Sequence, residues 1–473
     1  MTQAKDRLDK TTMLGLAAMA LAVLVVANDF TALSVALPAM EKDFSADIST
    51  VQWVINGYAL VFGVLIVTGG RLADMFGRRR IFFLGAGVFA VFSVAGGLAP
   101  NVGVLLGSRA LMGIGGAMMW PAILGMTYAL LPSSKAGLAG GLIIGAAGFG
   151  NAMGPLLGGV LTDALSWRWI FFLNLPIAAF AMLVTWWIVH ADEKTLADHR
   201  VDYAGIIFLS IGLFALLFAL DEGIDLGWTD PLIIGLFALA AVALVRFVLV
   251  EQRSGATALV PNDVIHNRTF LSACIAVLLM SAIFFAALLY LPQFMTKVLG
   301  YSAAASGVGL LPMMITFAVT SFVAGPLYEK MGPKLIVSLG AAFLAGGIFL
   351  LSLVRPTTMY GGLVGGMVVL GIGVGLFYSS ITTAAVTALD PSRSSLAGGI
   401  VYMCQIAGGA IGLGLNTAIV LTAGSLVEGM GRAFMVDAML GFCGLVVAIL
   451  FVGGSVDKER LRMMRHHHRA HAP

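Results

Sequence analysis

Charge is what this sequence has least of. Among 473 residues there are 27 Lys and Arg and 24 Asp and Glu, 11% in all, where a water-soluble domain carries about 25%. Apolar residues make up 59% of the chain and mean hydropathy is +0.99. Water is therefore not the main solvent. Cysteine is scarce too: Cys274, Cys404 and Cys443 all lie in apolar stretches, which excludes a disulfide framework and a cysteine-based zinc site. Long polar stretches are also missing. The longest between apolar runs is 251–268, too short for a soluble domain. A net charge of +3 is too mild for a nucleic-acid surface. Glycine, by contrast, is plentiful at 59 residues, as suits helices packed closely in lipid.

The apolar residues fall into fourteen runs: 13–38, 50–72, 81–99, 102–130, 136–162, 168–190, 203–221, 231–250, 269–295, 302–327, 335–354, 359–388, 396–421 and 435–454. Each is near or above the roughly 20 residues that cross a bilayer core. They recur to the C-terminus, which a cleaved leader does not explain. The expected fold is an all-α integral membrane protein with fourteen transmembrane helices. With the N-terminus inside, 21 bases fall on the inner side and five on the outer. The positive-inside rule then expects both termini in the cytoplasm. Arg109 alone is left within a span.

The chain also repeats itself. Leu138-Ala139-Gly140-Gly141 recurs as Leu396-Ala397-Gly398-Gly399, and at the same offset of 258 Gly150 meets Gly408 and Gly154 meets Gly412. Gly70, Asp74, Gly77 and Arg79 match Gly325, Glu329, Gly332 and Lys334 at offset 255. Leu37-Pro38 matches Leu291-Pro292 at 254. Ordered matches at a nearly constant offset predict two six-helix halves. The expected organisation is a cytoplasmic tail at 1–12, a half at 13–190, a linker with two extra helices at 191–268, a half at 269–454, and a basic, His-rich tail at 455–473. Parallel six-helix halves are a transporter architecture, with the substrate path between them.

The motifs resemble the major facilitator superfamily, and more narrowly its fourteen-helix drug:proton antiporter branch. The loop Gly70-Arg-Leu-Ala-Asp74-Met-Phe-Gly77-Arg78-Arg79-Arg80 matches the superfamily's loop signature. The fifth run carries Gly141, Gly150, Gly154, Pro155, Gly158 and Gly159, a pattern associated with exporters. The first run ends Asp29-x-Thr31-x3-Val35-Ala36-Leu37-Pro38, as the branch does. Asn28, Ser34 and Met112 depart from the branch pattern. The resemblance implies a multi-pass protein of the inner (plasma) membrane, working as a monomer. It would export a small molecule against protons by alternating access, with the proton gradient and no cofactor or metal as its energy source.

An ionisable residue inside the hydrocarbon is costly and functional by default. Asp29 is read as the one deep acid. Its depth and that of Arg109 differ by less than an arginine's reach, and the resemblance, which puts the first and fourth helices at the central cavity and the branch's proton-linked acid at Asp29, makes the two candidates for a pair, with Asp29 as proton site and Arg109 tuning it. At offset 254 the second half has Ile283 in place of Asp29, so amphipathic or lipophilic substrates fit better than doubly charged ones. Asp74 and Arg78–Arg80 with Gly70 and Gly77 are expected to latch the halves on the cytoplasmic side. Gly154-Pro155 is expected to kink the fifth helix. Asn28, Asn56, Tyr58, Met112, Gly116, Trp120, Phe284, Tyr290 and Tyr378 are the expected substrate cavity. Asp221, Glu222, Asp225 and Asp230 read as a solvated outer loop, and His466, His467, His468 and His471 as a solvated tail. No nucleophile–base pair or histidine–acid cluster lies within the spans, so no enzyme is expected. The alternatives are an exporter of one metabolite or lipid, or a facilitator or importer.

Overall fold

The computed structural model describes residues 8–189 and 201–452. The linker stretch 190–200 and the tail 453–473, with its four histidines, lie outside the described residues, as do 1–7.

Among the described residues fourteen long helices carry the fold: α1 Lys10–Ala32, α2 Ile48–Phe76, α3 Arg78–Gly97, α4 Val102–Leu130, α5 Ala136–Ala164, α6 Arg168–Ile188, α7 Tyr203–Leu226, α8 Pro231–Ser254, α9 Arg268–Lys297, α10 Leu311–Met331, α11 Pro333–Ser352, α12 Tyr360–Thr387, α13 Ser394–Leu421 and α14 Leu426–Phe451. Each is long and apolar enough to cross a membrane. Among the described residues there is no strand. Helix starts follow ordinary capping chemistry. Asp47, Asn101, Asp230, Asn267 and Ser425 each accept a backbone N–H of the helix that follows, satisfying donors that a helix cannot satisfy itself. The turn between α2 and α3 is a single residue, Gly77, at φ +99°. Its counterpart between α10 and α11 is Gly332, at φ +83°. Both conformations are nearly free only for glycine.

The packing repeats the sequence repeat. In one half α1 packs on α5 and α6, α2 on α4, and α3 on α4 and α6. In the other, α9 packs on α13 and α14, α10 on α12, and α11 on α12 and α14. The halves meet along two related seams, α2 against α13 and α10 against α5. The two inserted helices pair with each other, and α7 also lies on α2 and α13. One seam is thus covered by an extra helix.

Four boundaries differ from the apolar runs. The first run contains two helices: α1 ends at Ala32, and Leu37–Phe44 starts afresh with Pro38 in its first turn, where a missing N–H costs nothing. The tenth run likewise splits, into a short helix Ala303–Gly309 and α10. α7 runs on through Leu226, so Asp221, Glu222 and Asp225 are helical rather than loop. α14 begins at Leu426, nine residues before the apolar run. Its first turns hold Glu428 and Arg432 as an i,i+4 ion pair, which helical geometry favours but which hides the turn from a hydropathy reading.

Candidate functional site: a buried ion pair, two latches and a central cavity

Asp29 and Arg109 are both wholly buried, and Arg109 Nη1 is bonded to Asp29 Oδ2. Neighbouring groups on three other helices fix the pair. Arg109 Nε donates to Val54 O on α2 at 2.7 Å. Asn174 Nδ2 on α6 donates to Asp29 Oδ1 at 3.1 Å, and Ser93 Oγ on α3 lies 3.3 Å from the same amide. The guanidinium stacks on the Tyr58 ring, 4.2 Å from its centroid, a cation–π contact. Arg109 Nη2 keeps no partner among the described residues. So the pair is held by α1, α2, α4 and α6 together, all of the first half. Removing one member of such a pair costs about 3–5 kcal/mol, because the other charge stays behind in a dry interior.

This placement corrects part of the expected cavity. Tyr58 is fully buried against Arg109 and Phe62. A Cβ on Gly116 would meet the Tyr58 hydroxyl and the Phe62 ring at 2.8 Å, so this glycine seats α4 on α2. Met112 sits under the guanidinium, with Sδ 3.8 Å from Nη1. Asn28 is buried, its Oδ1 unpartnered among the described residues. Tyr290 turns to α13, bonded to Thr417 Oγ1 at 2.9 Å. None of these five lines the central cavity. Met112 and Gly116 share α4 with Arg109 and face that guanidinium and the Tyr58 ring beneath it, because a buried charge draws its own contacts around it.

The cavity itself is about 350 Å³ and lies between the halves. Asn56, Trp120, Phe284 and Tyr378 line it as expected; Tyr402 and Gln405 of α13 and Thr31 and Asn151 join them. Trp120 and Tyr402 pack at 4.5 Å between centroids across the two halves. Trp120 Nε1 is buried and has no hydrogen-bond partner among the described residues. Tyr402 and Gln405 went unread in the sequence because they lie on a glycine-rich helix without a charge to set its phase.

Two latches join the halves at one end. Asp74 accepts from Leu396 N at 2.8 Å and Ser395 N at 3.2 Å, the N3 and N2 positions of α13. Arg78 braces it: Nε bonds Asp74 at 3.1 Å, Nη1 bonds Gly125 O at 3.2 Å, and Nη2 bonds Pro391 O at 2.5 Å. The repeat partner Glu329 accepts from Leu138 N at 3.2 Å, the N3 position of α5. Each half therefore caps a helix of the other with a carboxylate, where orphan N–H groups and the helix dipole favour negative charge. Glycine permits the approach. A Cβ on Gly70 would lie 2.6 Å from Ser395 O, and one on Gly325 2.7 Å from Gly137 O. Arg79 instead bonds Trp186 O at 2.9 Å and stacks on that indole. Arg80 is exposed.

α5 carries both relations. Gly141 faces α10 across the seam, with Ser321 O 2.8 Å from its would-be Cβ. Gly150, Gly154 and Gly158 face α1 at Leu24, Thr31 and Ala32, and Gly159 faces open space. Pro155 has no N–H, so Asn151 O, one turn earlier, loses its helical donor. Thr31 Oγ1 lies 3.2 Å from that oxygen and supplies one. α5 stays a single helix across Pro155.

A second deep acid escaped the sequence reading. Asp437 on α14 is fully buried, and Asn416 Nδ2 of α13 donates to it at 2.8 Å. An apolar run starting at 435 puts it at a helix end; the true start at Leu426 puts it eleven residues, about 16 Å, along the helix. It makes no ion pair among the described residues.

Comparison with known proteins agrees with this architecture. The family model described as Major Facilitator Superfamily matches residues 19–413 and again 273–463. The puromycin resistance protein pur8 of Streptomyces alboniger is 34% identical over 448 residues, 93% of this chain and 88% of that protein. The tetracenomycin C resistance and export protein of Streptomyces glaucescens is 31% identical over 397 residues, 84% and 74% of the two chains. The human organic anion transporter MFSD10 (TETRAN) has the same fold, with a TM-score of 0.68 over 92% of this chain and 99% of its own at 15% identity. With a family match along nearly its whole length and relatives above 30% identity, this multi-pass membrane protein belongs to the Major Facilitator Superfamily.

Proposed function

We propose that the chain is a proton-coupled exporter of small amphipathic or lipophilic compounds, of the multidrug-efflux type. The observation that carries this reading is the wholly buried Asp29–Arg109 pair beside, but not in, an aromatic cavity. The names of the two bacterial relatives support export and antibiotic-like cargo. Both termini lie in the cytoplasm of a cell whose inner membrane holds the monomer, and the two latches close the cytoplasmic end.

The proton enters at Asp29. While Asp29 is ionised, it ties α1 to α4 through Arg109 and to α6 through Asn174. Protonation removes the charge from the strongest of these contacts. Two residues on, Thr31 holds α5 through Asn151 O, and α5 reaches the other half through Gly141 and Leu138. A change in how α1 sits is thereby passed to the seam. Substrate occupies the cavity between the halves, where Thr31 and Asn151 also face. One helix pair thus senses both proton and cargo. The driving force is the inward proton gradient, whose electrical part alone is about 2.3 kcal/mol per charge per 100 mV.

The test is transport in proteoliposomes with an imposed pH gradient. Wild type is expected to move substrate against proton flow. Asp29→Asn, which keeps the side-chain shape, is expected to bind substrate but lose gradient-driven transport. Full transport by that variant overturns the proton assignment, and substrate flux without proton flux marks a facilitator.

A further inference from the structure

The inserted helix α7 does more than cover a seam. It brings a carboxylate, Asp221, to the wall of a second cavity of about 130 Å³ between α2, α7 and α13. That cavity shares Asn56, Ala59, Ile406, Ala410 and Leu413 with the central one, so the two adjoin along these residues. The remaining lining, Leu60, Leu217, Leu220 and Ile224, is apolar. Both Asp221 oxygens accept from the single Nδ2 of Asn56, at 3.1 and 3.0 Å. Among the described residues no Lys, Arg or His pairs with it. Glu222 and Asp225 follow on α7, and neither lines the cavity. The central cavity has no acid in its lining. Asp29 is sealed behind Arg109, and Asp437 is buried between α13 and α14.

Half-buried on an apolar wall and held by one neutral amide, the Asp221 carboxylate has no counter-ion among the described residues. Desolvated charge is stabilised chiefly by an opposite charge. The surrounding leucines and isoleucines exclude a hydrated metal ion, which would need several oxygen ligands. They suit an organic cation whose apolar groups fill the space.

We propose that Asp221, with Asn56, binds the positive group of a lipophilic monovalent cation at the α2–α7–α13 seam, with the apolar part of the cation extending toward Trp120 and Tyr402 in the central cavity. This names a cargo class for the exporter proposed above and rests on that reading. It also gives α7 a role in recognition, since α7 supplies the one charged contact that the two halves leave out, on one seam only.

The experiment uses the full purified chain and two probes of nearly equal shape and opposite charge, tetraphenylphosphonium and tetraphenylborate. Wild type is expected to bind the cation the more tightly. Asp221→Asn keeps an acceptor for Asn56 and should fold. It is expected to weaken tetraphenylphosphonium at least about tenfold, or 1.4 kcal/mol, and not to weaken tetraphenylborate. Asp221→Glu is expected to restore preference for the cation. Unchanged tetraphenylphosphonium affinity in Asp221→Asn, equal loss of both probes, or a wild type that does not prefer the cation overturns the proposal. Proton-driven export by the wild type is measured separately, so a failure of the exporter reading and a failure of this site are distinguishable.

Discussion

The two halves are alike at their ends and unlike in their interiors. Asp74 caps α13 and Glu329 caps α5, through backbone N–H groups that are repeat partners, Leu396 and Leu138. Gly70 and Gly325 bring the backbones together in the same way on both seams. Inside, the first half holds Asp29 and Arg109, while the repeat positions in the second are Ile283 and Met367, both fully buried and apolar. The second half has instead an acid, Asp437, that is bonded to an amide and has no ion-pair partner among the described residues. Symmetry survives where both halves must close on one another. It is lost where one half holds a charge that the other does not need.

Mutations can break this contrast, and the largest effect belongs to Asp29→Asn. Gradient-driven transport should fall about a hundredfold, the scale of losing some 2.7 kcal/mol of coupling, while equilibrium binding of substrate changes little. Next come Gly154→Ala and its repeat partner Gly412→Ala. Their added Cβ atoms would meet Thr31 and Ala32 of α1, and Ala282 of α9. Both should lower thermal stability in detergent by about 1–3 kcal/mol, the usual cost of overpacking, while Gly159→Ala, facing open space, should not. A difference between the two partners would show that only one of the α1–α5 and α9–α13 contacts is rigid.

Asn416→Leu should destabilise by about 1–3 kcal/mol, because it strips Asp437 of its donor in a buried site. Asp437→Asn should cost less, as it removes the charge and keeps an acceptor. Thermal unfolding of both variants checks this, and equal losses would refute the unpaired-charge account. The smallest effect is the second latch: Glu329→Gln should lose about 0.5–2 kcal/mol of cap energy, and Asp74→Asn more, because it also takes the carboxylate from the buried Arg78 guanidinium. Accessibility of a cysteine placed at Ser394 to a charged thiol reagent added at the latched end is expected to rise in Asp74→Asn more than in Glu329→Gln.

Much of the fold was legible because a bilayer leaves so few options. A helix of about 20 apolar residues satisfies its own backbone in lipid, so length and hydropathy find the spans without tertiary information. The repeat was legible through glycines and loop acids, whose roles depend on local backbone approach. The ion pair was legible because charge in hydrocarbon is rare. Asp437 was not, since the α14 boundary was hidden by Glu428 and Arg432, which are polar but pair along one helix. Nor was Asp221, whose acidic neighbours Glu222 and Asp225 make the stretch read as a loop. The cavity list was half legible: Trp120, Phe284, Tyr378 and Asn56 line it, while Tyr58, Met112 and Gly116 surround Arg109 instead.

By itself, then, the sequence determined the number of helices, the two-half repeat and the presence of one buried acid and one buried base. These follow from composition and period, which each segment carries within itself. Only the tertiary structure decided that the pair is kept out of the central cavity, which helix each loop carboxylate caps, and where Asp221 and Asp437 come to rest. Those are relations between segments distant in the chain, or between faces of helices that are apolar all round. In lipid such faces look alike until packing chooses among them.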